Sequence, residues 1–428
     1  MRVPLWLCLL LLSTSLFPAE KADEKKPPEK VEAKAPLSPE PDSATLERGP
    51  YLQLATNKSI VVVWRTTGLS TPAVRYGKSP DKLDQTVPVK DITILAAPHI
   101  RQKKFKKLHS APDWTYQYEA AIGGLETNST YYYAVYDGET RLAGGDENFH
   151  FTTLPRPGAN KSVRFWVVGD SGTGNKDQLA VIEGIQKWLS TQPRKLEMYL
   201  HVGDMAYSRG TDKEFTKGFF KPYADILRNT VCWASMGNHE GATSRGDKGT
   251  GPYYDAYVCP RKAEAGGVAS GTEAYYSFDY GQVHFICLDS HDVSRKPDDA
   301  MARWLRADLE KTNAEWLIAF FHHPPYTKGS HDSDKETREK EMRTYIMPIL
   351  ESGGVDLVLT GHSHIYERSM LIDGAYATPT VAENVVLDDG DGDPQGDGAY
   401  RKSAGLNPNE GDVQIVTGHG GAKLRRKG

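Results

Sequence analysis

Cysteine is scarce, with 4 in 428 residues, too few for a disulfide scaffold at this length. A surplus of charge is missing too. Lys and Arg number 52 against 56 Asp and Glu, a net charge of −4, whereas a nucleic-acid binder would show a strong basic excess. The apolar run Leu5–Leu12 is too short to span a bilayer. No repeat at a solenoid or propeller period is present. Gly 40 and Pro 26 are raised only mildly, which excludes collagen-like and mostly disordered chains. What is there is ordinary for a soluble globular protein: 39% hydrophobic and 25% charged residues, on a chain long enough for two to three domains.

Residues 1–19, MRVPLWLCLLLLSTSLFPA, combine a short basic start with a short apolar stretch, and so read as a secretory signal peptide; an uncleaved anchor is the alternative. Ser13 and Ser15 fit the small-residue cleavage rule, while Ala19 has Phe17 at its −3 position. Cys8 lies inside the run, out of place for lipidation. Residues 20–44 are Lys, Glu and Pro with little that is apolar, and read as a disordered tether. The expected location is secreted, periplasmic or otherwise extracytoplasmic, with no stable membrane span after cleavage. Cleavage leaves Cys232, Cys259 and Cys287, an odd number, and no disulfide is assigned.

From 45 to 157 the grammar is β. PYLQLAT (50–56), SIVVVWRTT (59–67), PAVRYG (72–77), YQYEAAIGGL (116–125), TYYYAVYDG (130–138) and ENFHFTTLP (147–155) are rich in β-branched and aromatic residues between turn signals. A β-sandwich with Trp64 in its core is expected. Leu125 with Tyr131 and Tyr133 resembles the corner of fibronectin type III domains; a sandwich of another topology is the alternative.

From 158 to 428 apolar strand-like runs alternate with amphipathic stretches. The runs are RFWVVGD (164–170), EMYLHVGD (197–204), VCWASMGNHE (231–240), EWLIAFFHH (315–323) and VDLVLTGHSH (355–364). Residues 177–190 and 299–312 have helical spacing, and 275–290 reads as a hairpin turned at Tyr280-Gly281. The fold class expected is α+β multidomain: the fibronectin III-like sandwich, then an α/β sandwich of two mixed sheets flanked by helices.

Asp170, Asp204, Asn238, His322 and His362 each follow an apolar run, where open α/β sheets bind ligands. His364 and Tyr207 stand close behind. Singly, Asp170 reads as a turn residue, Asn238 as a helix cap and His322-His323 as packing. Together they read as a metal site. Oxygen donors with imidazoles suit Fe, Zn or Mn, and the lack of a nearby cysteine excludes a thiolate zinc site. Asp204, flanked in sequence by donors on both sides, is the natural bridge between two ions, a clamp suited to displacement at phosphorus.

GDSG (169–172), GDMAY (203–207), GNHE (237–240), FFHHPPY (320–326) and GHSHIYER (361–368) make the resemblance specific. The chain resembles the metallophosphoesterase (calcineurin-like) superfamily, and the tyrosine of GDMAY narrows this to the purple acid phosphatases. The resemblance runs from about 45 to 421. It implies Fe(III) on Asp170, Tyr207 and His364, a divalent ion (Zn, Mn or Fe(II)) on Asn238, His322 and His362, and Asp204 between them. His239 is implied to contact phosphoryl oxygens or protonate the leaving group. The family pattern of His, one residue, then Pro selects His322 over His323. Plant members carry two substrate histidines nine and ten residues after that ligand. Here His331 and Asp332 stand there, so one is matched; a solvated loop residue is the alternative for His331. Glu367 and Arg368 read as outer or structural residues.

The activity implied is hydrolysis of small phosphate monoesters by a metal-bound hydroxide. A phosphodiesterase or a nucleotide or pyrophosphate hydrolase is the alternative on the same site, and an inert secreted binding module the alternative from another class. The acidic stretch 388–398 lacks the closing Glu of a calcium loop and reads as solvated. The end, 413–428, resembles a strand and Gly-Gly turn after which family members continue, so the last sheet edge is expected to be incomplete. No partner is assigned to its short basic tail.

Overall fold

The computed structural model describes residues 44–68, 70–89, 92–95, 115–381 and 383–425. The leader at 1–19 and nearly all of the tether lie outside them.

The first nine strands are β1 (Thr45–Gln53), β2 (Ile60–Thr67), β3 (Pro72–Gly77), β4 (Gln85–Pro88), β5 (Ile92–Leu95), β6 (Thr115–Ile122), β7 (Thr130–Asp137), β8 (Thr140–Gly144) and β9 (His150–Thr152). They form two antiparallel sheets, β1-β2-β6-β5 and β4-β3-β7-β8, with β9 on β7. β2 is buried along almost its whole length because both faces are covered. Trp64 packs on its cross-strand neighbour Tyr118, ring centroids 5.3 Å apart. On the opposite face Arg65 reaches Asp212 at 2.6 Å, joined by Arg48 at 3.1 Å. Tyr51 donates to the Ala256 carbonyl at 3.0 Å and Tyr133 to that of Arg228 at 2.8 Å. These contacts fasten the sandwich to the second half of the chain. The Tyr131 hydroxyl accepts the Glu126 N–H at 2.9 Å, closing the corner expected from Leu125 and Tyr131. β4, β5 and β8 were not expected.

The second half opens with β10 (Phe165–Val168), β11 (Met198–His201) and β12 (Cys232–Ala234), parallel throughout. β13 (Tyr276–Tyr280), β14 (Val283–Cys287), β15 (Trp316–Phe320), β16 (Leu357–Thr360), β17 (Tyr366–Arg368) and β20 (Val413–Thr417) make a mixed sheet in the order β13-β14-β15-β16-β20-β17. β18 (Leu371–Ile372) and β19 (Val386–Asp388) pair apart from it. Trp233 stacks on Phe278 at 3.9 Å and Phe165 meets Phe285 edge-on at 5.7 Å, so aromatic rings fill the space between the sheets. The helix Lys176–Ser190 is capped by Asn175, whose side chain accepts the N–H of Asp177 and Gln178; the helix Ala300–Lys311 is the second with the expected spacing.

β20 lies between β16 and β17, so it is an interior strand. β17, from the stretch that begins two residues after His364, doubles back antiparallel beside it and is itself the last strand of the sheet. Cys232, Cys259 and Cys287 are buried and unpaired. No described helix is long and apolar enough to cross a membrane.

Candidate metal centre

Parallel strands align their carboxyl ends, and the site is built there. Asp170 follows β10, Asp204 follows β11, Asn238 follows β12, His322 follows β15 and His362 follows β16. The Gly169 N–H donates to the Thr417 carbonyl at 3.1 Å, joining the rims of the two sheets. Asp170, Asp204 and His362 have φ of +56°, +60° and +65°, a conformation that costs a non-glycine residue about 1–3 kcal/mol unless its surroundings impose it. Here they do. The Asp170 N–H donates to Gly203 at 3.0 Å, and the His362 N–H to Asp170 Oδ2 at 2.7 Å. A Cβ on Gly237 would collide with Asp204, so the glycine before Asn238 lets two site loops touch.

The seven predicted donors converge. Ligand atoms of Asp170, Asp204 and His322 all lie within 4.8 Å of one another. The Tyr207 hydroxyl is 3.2 Å from Asp170 Oδ1, 3.2 Å from Asp204 Oδ2 and 3.3 Å from His364 Nε2. On the other side His322 Nε2 is 3.0 Å from Asn238 Oδ1, 3.2 Å from His362 Nδ1 and 3.4 Å from Asp204 Oδ2. One carboxylate oxygen of Asp204 thus touches both groups. Two acids, a phenol, an amide oxygen and three imidazoles fit a pair of hard or borderline cations.

Backbone carbonyls orient the rings. His322 Nδ1 meets the Val202 carbonyl at 2.8 Å, His364 Nδ1 that of Lys423 at 3.2 Å, and His239 Nδ1 that of Ser208 at 2.5 Å. A carbonyl only accepts, so each Nδ1 carries the proton and each Nε2 is left for the site. Burial raises the Asp204 carboxyl, but His322 and then His239 outweigh it and hold it low. Burial lowers His322, but Asp204 outweighs it and lifts the imidazole to about 10. The pair is a carboxylate–imidazolium couple whose proton a cation would displace. Burial, then Asp170 and Asp204, push the Tyr207 phenol well up.

His239 packs on Tyr207 with ring centroids 4.1 Å apart, its Nε2 3.7 Å from Asp204 Oδ2. His331 lines the same cavity, of about 210 Å³, but its Nδ1 is taken by Glu336 at 2.8 Å and its ring lies 3.7 Å from that of His362. His323 Nδ1 meets Ser290 Oγ at 2.9 Å, while its ring lies 4.5 Å from that of His362 and one of its nitrogens comes within 4.8 Å of donor atoms of His322 and His362. Glu367 accepts the Lys328 N–H at 3.1 Å, and Arg368 donates to the Asp391 carbonyl at 2.5 Å; both brace loops.

Two carboxylates escaped the sequence reading. Glu240 accepts the N–H groups of Asp204, Ala206 and Gly237 at 2.8, 3.0 and 3.0 Å, and its signal was the last letter of GNHE. Burial, then Asp204, push its carboxyl up. Glu339, buried on the helical stretch after the His331 loop, had no signal. Its Oε1 has no hydrogen-bond partner among the described residues and faces His362 Nε2 at 3.3 Å, the ring atom turned away from the centre. A carboxylate there orients the ring and raises its basicity. Glu339→Gln is expected to weaken retention of one ion about 10–100-fold, read by chelator competition; unchanged metal affinity would show that Glu339 only fills space.

Comparison with known proteins covers both halves of the chain. Residues 163–366 match the calcineurin-like phosphoesterase family and residues 48–153 the purple acid phosphatase N-terminal domain. The chain is a purple acid phosphatase-like member of the metallophosphoesterase superfamily. Purple acid phosphatase 18 of Arabidopsis thaliana is 29% identical over 406 residues, covering 90% of this chain and 81% of that protein. A probable inactive purple acid phosphatase 9 from the same plant is 28% identical, covering 69% of this chain and 49% of its own. The structure of a purple acid phosphatase from yellow lupin seeds superposes with a TM-score of 0.62 at 18% identity, over 89% of this chain and 66% of that one, a likeness of fold. As a purple acid phosphatase-like protein the chain is a phosphoester hydrolase, and its fold is the purple acid phosphatase sandwich joined to a metallophosphoesterase unit.

Proposed function

We propose that this protein is an exported phosphomonoesterase working with a dinuclear centre of Fe(III) and a divalent Zn, Mn or Fe(II). Asp170, Tyr207 and His364 would hold the ferric ion, Asn238, His322 and His362 the divalent one, and Asp204 would serve both. The domains are a leader at 1–19, a tether at 20–44, a fibronectin III-like sandwich at 45–157 and a catalytic unit at 158–428. The observation that carries the reading is Asp204 Oδ2, 3.2 Å from the Tyr207 hydroxyl and 3.4 Å from His322 Nε2. A complete donor set also speaks against an inert module.

Bound cations supply Lewis-acid chemistry, making water a nucleophile at moderate pH and offsetting phosphoryl charge. The chain's own groups do the rest. Asp204 keeps the two donor groups in register. Asp170 fixes the His362 backbone. His239, its Nδ1 anchored on the Ser208 carbonyl and its ring partly exposed, acts as the imidazolium, whose Nε2 also carries a proton, and gives that proton to the leaving oxygen or a hydrogen bond to the phosphoryl group.

The test is metal analysis and colour of the mildly purified protein, with rates on a monoester and a diester at equal metal loading. A phenol ionises near 10 in water, so ligation near neutral pH requires a strong Lewis acid such as Fe(III). The oxidised protein is expected to be pink to violet through a tyrosinate-to-iron transition. Tyr207→Phe is expected to bleach it while iron remains on Asp170, Asp204 and His364. A colourless, fully active protein holding only zinc or manganese would remove the iron assignment. A higher rate on the diester would replace the monoesterase reading.

A further inference from the structure

The cavity over the centre is lined chiefly by neutral and titratable groups, among them Asn238, His239, His331 and His364, and by one permanently charged cation, Arg425. Arg425 belongs to the segment after β20, and that segment is stitched across the site. The Ala422 N–H donates to the Asp170 carbonyl at 2.9 Å, and Asn175 donates to the Gly421 carbonyl at 3.1 Å. The Lys423 carbonyl accepts His364 Nδ1 at 3.2 Å, and the Arg425 N–H points to the His364 carbonyl at 3.4 Å. The backbone thus meets the centre three times within four residues, at Ala422, Lys423 and Arg425, and Arg425 is delivered to the cavity on the His364 side. Several buried or half-buried arginines are paired with carboxylates: Arg48 and Arg65 with Asp212, Arg343 with Asp334, Arg295 with Glu341. The Arg425 side chain has no ion pair or hydrogen bond among the described residues.

A guanidinium is charged at every working pH, and its planar fork matches two oxygens of a phosphoryl group. Unpaired at the wall of a cavity that takes phosphate esters, it has an anion as its natural complement. We propose that Arg425 is a substrate-binding residue of this site, its guanidinium receiving non-bridging oxygens of the phosphoryl group of substrate and of product phosphate. The inference rests on the phosphatase reading above. Because the contact is made to substrate, transition state and product alike, its loss acts on affinity before turnover.

The test uses the full metal-loaded chain with 4-nitrophenyl phosphate as substrate and inorganic phosphate as competitor. Arg425→Ala is expected to raise both KM and the phosphate inhibition constant about 10-fold, as for loss of a charge-assisted hydrogen bond, while kcat and metal content stay near those of the parent. Arg425→Lys keeps the charge but not the fork, and is expected to fall between the two. KM and phosphate inhibition unchanged in Arg425→Ala would overturn the proposal, as would a loss of metal, which would make Arg425 a structural brace for His364. Should the metal-loaded parent hydrolyse no phosphate ester, the phosphatase reading fails on its own. Calorimetric binding of inorganic phosphate then decides for Arg425: about 10-fold weaker binding by the alanine variant sustains it, and equal binding removes it.

Discussion

Asp204→Ala is expected to lose both metal ions together and with them all measurable phosphatase activity. The reason is geometric. Asp204 Oδ2 is within 3.2 Å of the Tyr207 hydroxyl and 3.4 Å of His322 Nε2, so it is the group the two donor sets share. Its Oδ1 also accepts the His239 N–H at 2.9 Å, which positions the neighbouring loop. Removing it leaves the buried His322 without its counter-charge. Stripping one partner from a buried pair costs about 3–5 kcal/mol, so the alanine variant is expected to melt lower as well. Asp204→Asn separates these effects. It retains an oxygen for the His239 N–H and most of the volume, and is expected to fold while still failing to hold two ions, because a neutral amide bridges two cations poorly. Metal content by elemental analysis, beside a thermal melt, reads both. A folded Asp204→Asn protein that keeps two ions would take the bridging role away from Asp204.

The centre was legible because its chemistry sits where strands stop. Asp170, Asp204, Asn238, His322 and His362 each closely follow an apolar run, and a parallel sheet brings such positions to one rim whatever their separation in sequence. The same logic fails for residues that approach the rim from elsewhere. Glu339 reaches His362 from a helical stretch, and Arg425 reaches the cavity from the segment after β20; no periodicity marks either. His331 was found by its offset from His322, but an offset cannot show that Glu336 occupies its Nδ1. In the sandwich, β2 and β6 announced themselves through buried β-branched and aromatic residues. β4 and β8 are short and largely exposed, so neither shows the alternation that burial of one face imposes. The place of β20 inside the sheet, between β16 and β17, was not legible for a related reason. Hydropathy reports that a strand is buried, not which neighbour buries it, and β17 is only three residues long.

His239→Ala is expected to do the opposite of Asp204→Ala: both ions stay and turnover goes. His239 makes its backbone contact through N–H to Asp204 Oδ1, which alanine preserves, while its side chain is anchored by Nδ1 on the Ser208 carbonyl at 2.5 Å. That anchor fixes the ring, so that in the imidazolium the second N–H, on Nε2, is the one left to donate, beside Tyr207 at a ring distance of 4.1 Å. The ring stands outside both donor sets, since its nearest ligand atom, Asp204 Oδ2, is 3.7 Å from Nε2. A positioned proton donor contributes roughly 10²–10⁴-fold to rate, about 3–5 kcal/mol of barrier, and a loss of that size in kcat is expected. His331→Ala is expected to lose less, because the His331 ring is already paired with Glu336 and packed at a tilt against His362. The leaving group separates the two roles open to His239. If it protonates the leaving oxygen, His239→Ala should be nearly harmless on an activated aryl ester with an acidic phenol and severe on an alkyl phosphate, whose alkoxide leaves poorly. If it only stabilises phosphoryl charge, the loss should be the same on both. Elemental analysis of the variant comes first, since a loss of metal on this substitution would move His239 from the substrate to the centre itself.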